Sequence, residues 1–132
     1  MPLKLPAVIN FFKRFWQQKP LNKGQAAEQQ ACLYLQKKGL KLIQKNFFCK
    51  MGEIDLIMQE GAFLVFIEVR YRTTDDYGTP SETVGKQKQR RLIKTASLFL
   101  IKNKKFQQYP ARFDVVAIKP DQIEWIKQAF LA

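Results

Sequence analysis

The chain has 132 residues, 46% of them hydrophobic, which is the length of about one domain and enough for a single core without disulfide or metal staples. Its 23 Lys and Arg against 11 Asp and Glu give +12, an excess that favours polyanionic partners such as nucleic acid or acidic lipid. Histidine is absent, which excludes His-based triads, His general bases and the common zinc sites, and leaves carboxylates as the only strong metal ligands.

Residues 1–21 read as a basic amphipathic extension and residues 22–132 as the domain. The extension and the residues after it hold five bases by Lys23 and no acid before Glu28. Its apolar stretch is short, interrupted and without a small-residue cleavage site, so it does not read as a secretory signal. Taken as a helix, residues 8–18 put Val8, Ile9, Phe11, Phe12, Phe15 and Trp16 on one broad side and Lys13, Arg14 and Gln17 on the other. A helix docked on the domain, a disordered extension, and an interfacial helix for a membrane or a partner all fit that pattern. No apolar run approaches the ~20 residues of a membrane span.

Asn22 is placed to cap a helix running to about residue 38, with Ala27, Ala31 and Leu35 at helical spacing and Gly39 where a C-terminal stop belongs. Cys32 falls in that helix and Cys49 in the strand that follows, residues 40–50. Neither has CxxC or metal-ligand spacing, so both read as free thiols in a reducing, cytoplasmic compartment. Residues 53–59 and 63–71 are two more strands, joined by a short turn containing Gly61 as an antiparallel hairpin. "TTDDYGTPSET", residues 73–83, reads as loop. Over residues 84–103, Leu92, Ala96, Phe99 and Leu100 follow i, i+4, i+7, i+8, the stripe of an amphipathic helix. "RFDVVAIK", residues 112–119, returns to strand. Pro120 and Asp121 make a turn, and "QIEWIKQAF" closes the chain as an edge strand or a short final helix. The class is α/β in αβββαβ order.

A turn centred between Gly61 and Ala62 pairs Ile57 with Phe66, Asp55 with Glu68 and Glu53 with Arg70, all on one face. Ile54, Leu56, Met58, Val65, Ile67 and Val69 occupy the other, which is expected to be the core side. Opposed carboxylates repel, and a hard divalent cation such as Mg2+ or Mn2+ between Asp55 and Glu68 is one arrangement that makes the pair favourable. The alternative is a solvated face on which Glu53 pairs with Arg70 while Arg72 or Arg112 neutralises Asp55 or Glu68.

The stretch "GEIDLI…LVFIEVRYR", preceded by "KGQAAEQQACLYLQKKG" and "KNF" and followed by "YGTPSETVGKQKQRRLIKTASLFL" and "RFDVVAI", resembles the YraN family of uncharacterised bacterial proteins over roughly residues 23–130. That family is similar to the PD-(D/E)xK, or restriction-endonuclease-like, superfamily, which includes Holliday junction resolvases. The resemblance implies a restriction-endonuclease-like αβββαβ core, a mixed sheet flanked by helices. It also implies a metal-dependent nuclease site in which Glu28, Asp55 and Glu68 hold Mg2+ or Mn2+, and a homodimer. Where that pattern has lysine two positions after Glu68, this chain has Arg70, which stays protonated and can only position groups or stabilise negative charge. Lys86 or Lys88, at the start of the second helix, are the other cations placed to serve.

Between Thr83 and Phe113 the chain holds nine bases and no acid. Five of them, Lys86, Lys88, Arg90, Arg91 and Lys94, crowd the start of the second helix and suit a phosphate backbone, or serve only solubility. Phe47, Phe48, Tyr71 and Tyr77 read as packing or as base-stacking platforms. Two function classes stand: a metal-dependent endonuclease acting on DNA, branched DNA included, and a nucleic-acid-binding protein that keeps the nuclease fold with an impaired site.

Overall fold

The computed structural model of the protein describes residues 20–72 and 84–132; the candidate helix at residues 8–18, the 73–83 loop and Tyr77 lie outside them. The first helix, α1, covers Lys23–Lys37. Asn22 Oδ1 accepts the Gln25 N–H at 2.7 Å and Gln25 Oε1 accepts the Asn22 N–H at 3.1 Å, so both halves of a capping box satisfy amides that the first turn leaves open. Gly39, at φ +99°, ends the helix in a conformation that side chains with a Cβ rarely adopt.

Strands β1 (Lys41–Cys49), β2 (Gly52–Glu60) and β3 (Phe63–Tyr71) follow as an antiparallel meander. Helix α2 (Lys86–Lys102) and a 3-10 turn at Lys104–Phe106 then carry the chain to β4 (Ala111–Ile118), which pairs with β3 in parallel. "QIEWIKQAF" resolves as an edge strand, β5 (Ile123–Phe130), antiparallel to β4. The sheet is therefore mixed, with order β1-β2-β3-β4-β5. Parallel pairing of β3 and β4 requires a crossover, and α2 provides it.

Each helix covers one face of the sheet. On one side Ala27, Ala31, Cys32 and Leu35 of α1 pack on Leu56, Met58, Val65, Ile67, Val116 and Ile118. On the other, Leu92, Ala96 and Phe99 of α2 pack on Phe47, Ile54, Ile57, Phe66, Phe113 and Val115. Phe99 meets Phe47 and Phe66 edge to face at 5.3 and 5.9 Å, a geometry that aligns ring edges with the negative faces of their neighbours. The expectation of a single core side, with the acids on a solvated face, is thus corrected. Both faces are buried, because two helices sandwich the sheet, and Ile54 belongs to the α2 layer rather than with Leu56 and Met58.

Arg112 also departs from expectation: it serves the sheet and does not neutralise Asp55 or Glu68. Its Nε and one terminal nitrogen hold both oxygens of Asp114 at 2.8 and 2.9 Å, and its other nitrogen reaches Glu60 at 2.9 Å. Asp114, 1% exposed, also accepts the Trp125 indole N–H and the Gln128 N–H, both at 2.9 Å. Gln128 sits at φ 51° beside the register shift between Phe113 and Val115, so the buried carboxylate secures β5 where its ladder to β4 is broken. Every donor of this network has its acceptor, which is the condition for burying charge.

Candidate functional site

The hairpin register agrees with the turn symmetry as far as it runs: Glu60 faces Phe63, Ile57 faces Phe66 and Leu56 faces Ile67. There the β2–β3 ladder stops. Asp55, the next residue of β2, instead accepts the Val69 N–H on Oδ2 at 2.8 Å. The direct Asp55–Glu68 and Glu53–Arg70 backbone pairings expected from symmetry are therefore corrected: the strands part, and an acidic side chain takes up an amide at the gap. Arg70 Nε instead lies 3.6 Å from Glu68 Oε1.

Glu28 arrives from the opposite layer. It occupies the sheet-facing stripe of α1, four residues before Cys32 and seven before Leu35, so the periodicity that buries those two side chains aims Glu28 at the end of the sheet. Its carboxyl lies beside Asp55 and Asn46 of β1, both of which act on its pKa. Asn46 adopts φ 50°, a left-handed conformation that asparagine tolerates better than most residues. Glu53, exposed at the start of β2, adds a further negative charge felt by both Glu28 and Asp55.

Four acids thus share one end of the sheet, and the electrostatic cost falls on the most enclosed of them. Asp55 is 7% exposed; burial first, and then the neighbouring Glu68 charge, push its carboxyl up to about 8, against the pull of the Val69 N–H. Burial raises Glu28 as well, the neighbouring Asp55 and Asn46 side chains opposing the rise and the charges of Glu53 and Glu68 adding to it. At neutral pH the Glu28–Asp55 pair shares a proton, as two close carboxyls in a poorly solvated site do.

Of the candidate cations, Lys88 reaches the cluster. The start of α2 passes over the end of β3, and Lys88 Nζ lies 2.6 Å from Glu68 Oε1. Lys88 and Arg91 line a cavity of about 230 Å3 together with Glu53, Glu68, Leu92 and Gly52. Gly52, at φ +150°, forms its wall where an added Cβ would stand 3.4 Å from Thr95 Oγ1. Lys86, Arg90 and Lys94 are exposed along the same helix, and Arg72 follows the end of β3. A second cavity of about 200 Å3 opens on the α1 side of the cluster, against Glu28, Gln25, Lys45 and Asn46.

Asn46 and Gly52 escaped the sequence reading. Their signal lay in residue type, since asparagine and glycine inside or beside strands mark breaks in the ladder. Phe47 is buried, whereas Phe48 is 63% and Tyr71 43% exposed. Cys32 and Cys49 are free thiols.

The donor set at the cluster is carboxylate oxygen, the chemistry a hard divalent cation prefers. Among the described residues no three acidic or thiol side chains converge on an ion position as they stand, with Glu68 turned to Lys88 and Asp55 to the Val69 N–H. A cation would have to displace Lys88 from Glu68 and the shared proton from Asp55.

The model of a family described as "Uncharacterised protein family UPF0102" matches residues 27–118. A UPF0102 protein of Coxiella burnetii (strain RSA 493 / Nine Mile phase I) is 55% identical over 107 residues, 80% of this chain and 89% of that protein. One from Janthinobacterium sp. (strain Marseille) is 46% identical over 113 residues, 83% and 87% of the two chains. One from Legionella pneumophila (strain Corby) is 44% identical over 110 residues, 82% and 93%.

Proposed function

The chain belongs to the UPF0102 family, and from its carboxylate cluster we propose that it is a divalent-metal-dependent endonuclease of the restriction-endonuclease-like class, cleaving phosphodiester bonds of DNA, branched DNA included. The observation that carries this reading is the gathering of Glu28, Asp55 and Glu68, from a helix and two strands, at one end of the sheet, where burial and the Glu68 charge push the Asp55 carboxyl up to about 8 and Glu68 opens on the cavity of Lys88 and Arg91. A fold gains nothing from buried like charges, and such perturbed clusters in a cleft are the mark of a working site.

Asp55 and Glu68, with Glu28 behind them, would hold Mg2+ or Mn2+, which supplies an activated water and neutralises charge on the phosphate. Lys88, in the cavity beside Glu68, is positioned to bind a non-bridging oxygen of the scissile phosphate and to stabilise charge there. Arg70, with Nε 3.6 Å from Glu68 Oε1, orients that carboxylate. The exposed bases of α2 supply salt-sensitive, sequence-independent affinity for the backbone.

A second reading, a nucleic-acid-binding protein with a disabled site, is favoured by two observations: Arg70 stands where the resembling pattern has lysine, and Lys88 holds Glu68 at 2.6 Å. A cleavage assay on duplex, single-stranded and four-way-junction DNA in Mg2+ and Mn2+ separates the two. Cleavage lost on Glu68→Ala supports the nuclease; salt-dependent binding without cleavage of any form supports the binding protein.

A further inference from the structure

The bases of α2 do not end at the carboxylates. The helix has 17 residues, about 25 Å at ~1.5 Å per residue. Lys88 and Arg91 stand at its carboxylate end, while beyond its other end a cavity of about 360 Å3 opens between the start of β1 and the 3-10 turn. Arg91, Lys94, Leu98 and Lys102 fall at i, i+3, i+7 and i+11, one flank of the helix, so three of the four positions are cationic. The helix lies over β1, with Thr95 Oγ1 3.6 Å from Cys49 Sγ and Phe99 against Phe47 at 5.3 Å. At its far end the cavity is walled by Lys41, Lys105, Phe106 and Tyr109, with the amides of Gln59 and Gln108 and no acid among its described residues. Lys41 and Lys105 are exposed; Phe106 is stacked on Phe99 at 5.8 Å and meets Tyr109, tilted, at 6.4 Å, and half-buried Tyr109 is the other ring of the cavity wall.

Resting on the nucleic-acid reading above, we propose that this track carries an unpaired nucleic-acid strand away from the carboxylates, and that the Lys41–Lys105–Tyr109 cavity seats a nucleotide of that strand about 25 Å along. The two ammonium groups take its phosphate, Tyr109 stacks its base, and the glutamine amides meet the base edge. An unpaired strand fits where a duplex does not, because only an unpaired base presents its face and edge to a pocket wall.

The test is fluorescence anisotropy in EDTA with labelled single strands of 4 to 16 nucleotides and a 16-base-pair duplex, over a range of salt. In the wild type the affinity steps up at the length within this series that first spans the helix from Lys88 to the cavity. Lys41→Gln/Lys105→Gln removes the step and lowers the salt slope on the 16-mer by about 0.7, the one phosphate contact the two lysines share. Tyr109→Leu weakens the 16-mer strand with its salt slope unchanged and leaves the duplex as it was. A double variant that keeps both step and slope overturns the distal seat while the nucleic-acid reading stands, as does an equal loss on duplex and single strand with Tyr109→Leu. Wild-type protein that binds no strand in a salt-dependent manner overturns both.

Discussion

Asp55→Asn changes one atom at the most enclosed point of the cluster and keeps an oxygen for the Val69 N–H. In the folded protein the carboxyl holds its proton up to about pH 8; in the unfolded chain it releases it near 3.8. Between those values the folded state binds the extra proton, so stability is greatest at the acid end and falls as pH rises. A full one-proton difference is worth ~1.4 kcal/mol per pH unit, so wild-type stability should drop by about 4 kcal/mol from pH 5 to pH 8 through the Glu28–Asp55 pair. Glu60 works in the opposite sense, its carboxyl held below the usual range by Arg112 and Lys127 against the effect of burial. Its contribution is lost only as pH falls below about 4.5, outside the window. Asparagine does not titrate, and its loss of charge removes the repulsion with Glu68. Urea unfolding in EDTA should therefore show the variant less stable relative to wild type at pH 5 than at pH 8, the gap shifting in favour of the variant by a few kcal/mol. At pH 8, Mg2+ or Mn2+ should raise the wild-type melting temperature by binding the folded state, and leave that of the variant where it was. Stability profiles of the two proteins that run parallel across the window would refute the buried, proton-sharing cluster.

Arg70→Lys should preserve or increase metal-dependent cleavage and Arg70→Ala abolish it in single-turnover assays on the best DNA form; robust cleavage surviving Arg70→Ala would take Arg70 out of the site and leave Lys88 as its working cation. Asp114→Ala should cost about 3–5 kcal/mol in urea unfolding, because it strands the buried Arg112 guanidinium, whereas Arg112→Leu/Asp114→Leu should recover most of that loss. A cost below about 1 kcal/mol for the single variant would show that the network does not secure β5. Iodoacetamide at pH 7.5 should modify Cys49 well before Cys32: burial pushes the Cys32 thiol up, whereas at Cys49 Thr95, the Met51 and Gly52 amides and Lys102 together outweigh the desolvation and bring it down. Equal rates by mass spectrometry would count against that electrostatic difference.

What the sequence alone determined here were the elements and their local order. A capping asparagine, an i, i+4, i+7 stripe and a glycine in a turn act within a few residues of themselves, so α1, α2 and the hairpin register from Glu60 to Leu56 were legible from spacing. Period-two alternation also separated Leu56 and Met58 from Ile57, but it could not say that both sets are buried, since that depends on a second helix roughly thirty residues away returning over the other face. Asp55 was marked by hairpin spacing and Glu28 by resemblance; their shared proton was not, because a pKa shift of this kind needs the desolvation and the Glu68 charge that only the closed layers bring together. Lys88 stood as one of two lysines placed to serve, and the path of α2 over β3 brings its ammonium to Glu68. Arg112, read from its charge as a neutraliser of the acids, went instead to Asp114 and Glu60. Charge announces that a partner is required, but the partner is selected by which strands pair, and that selection rests on contacts between residues far apart in the chain.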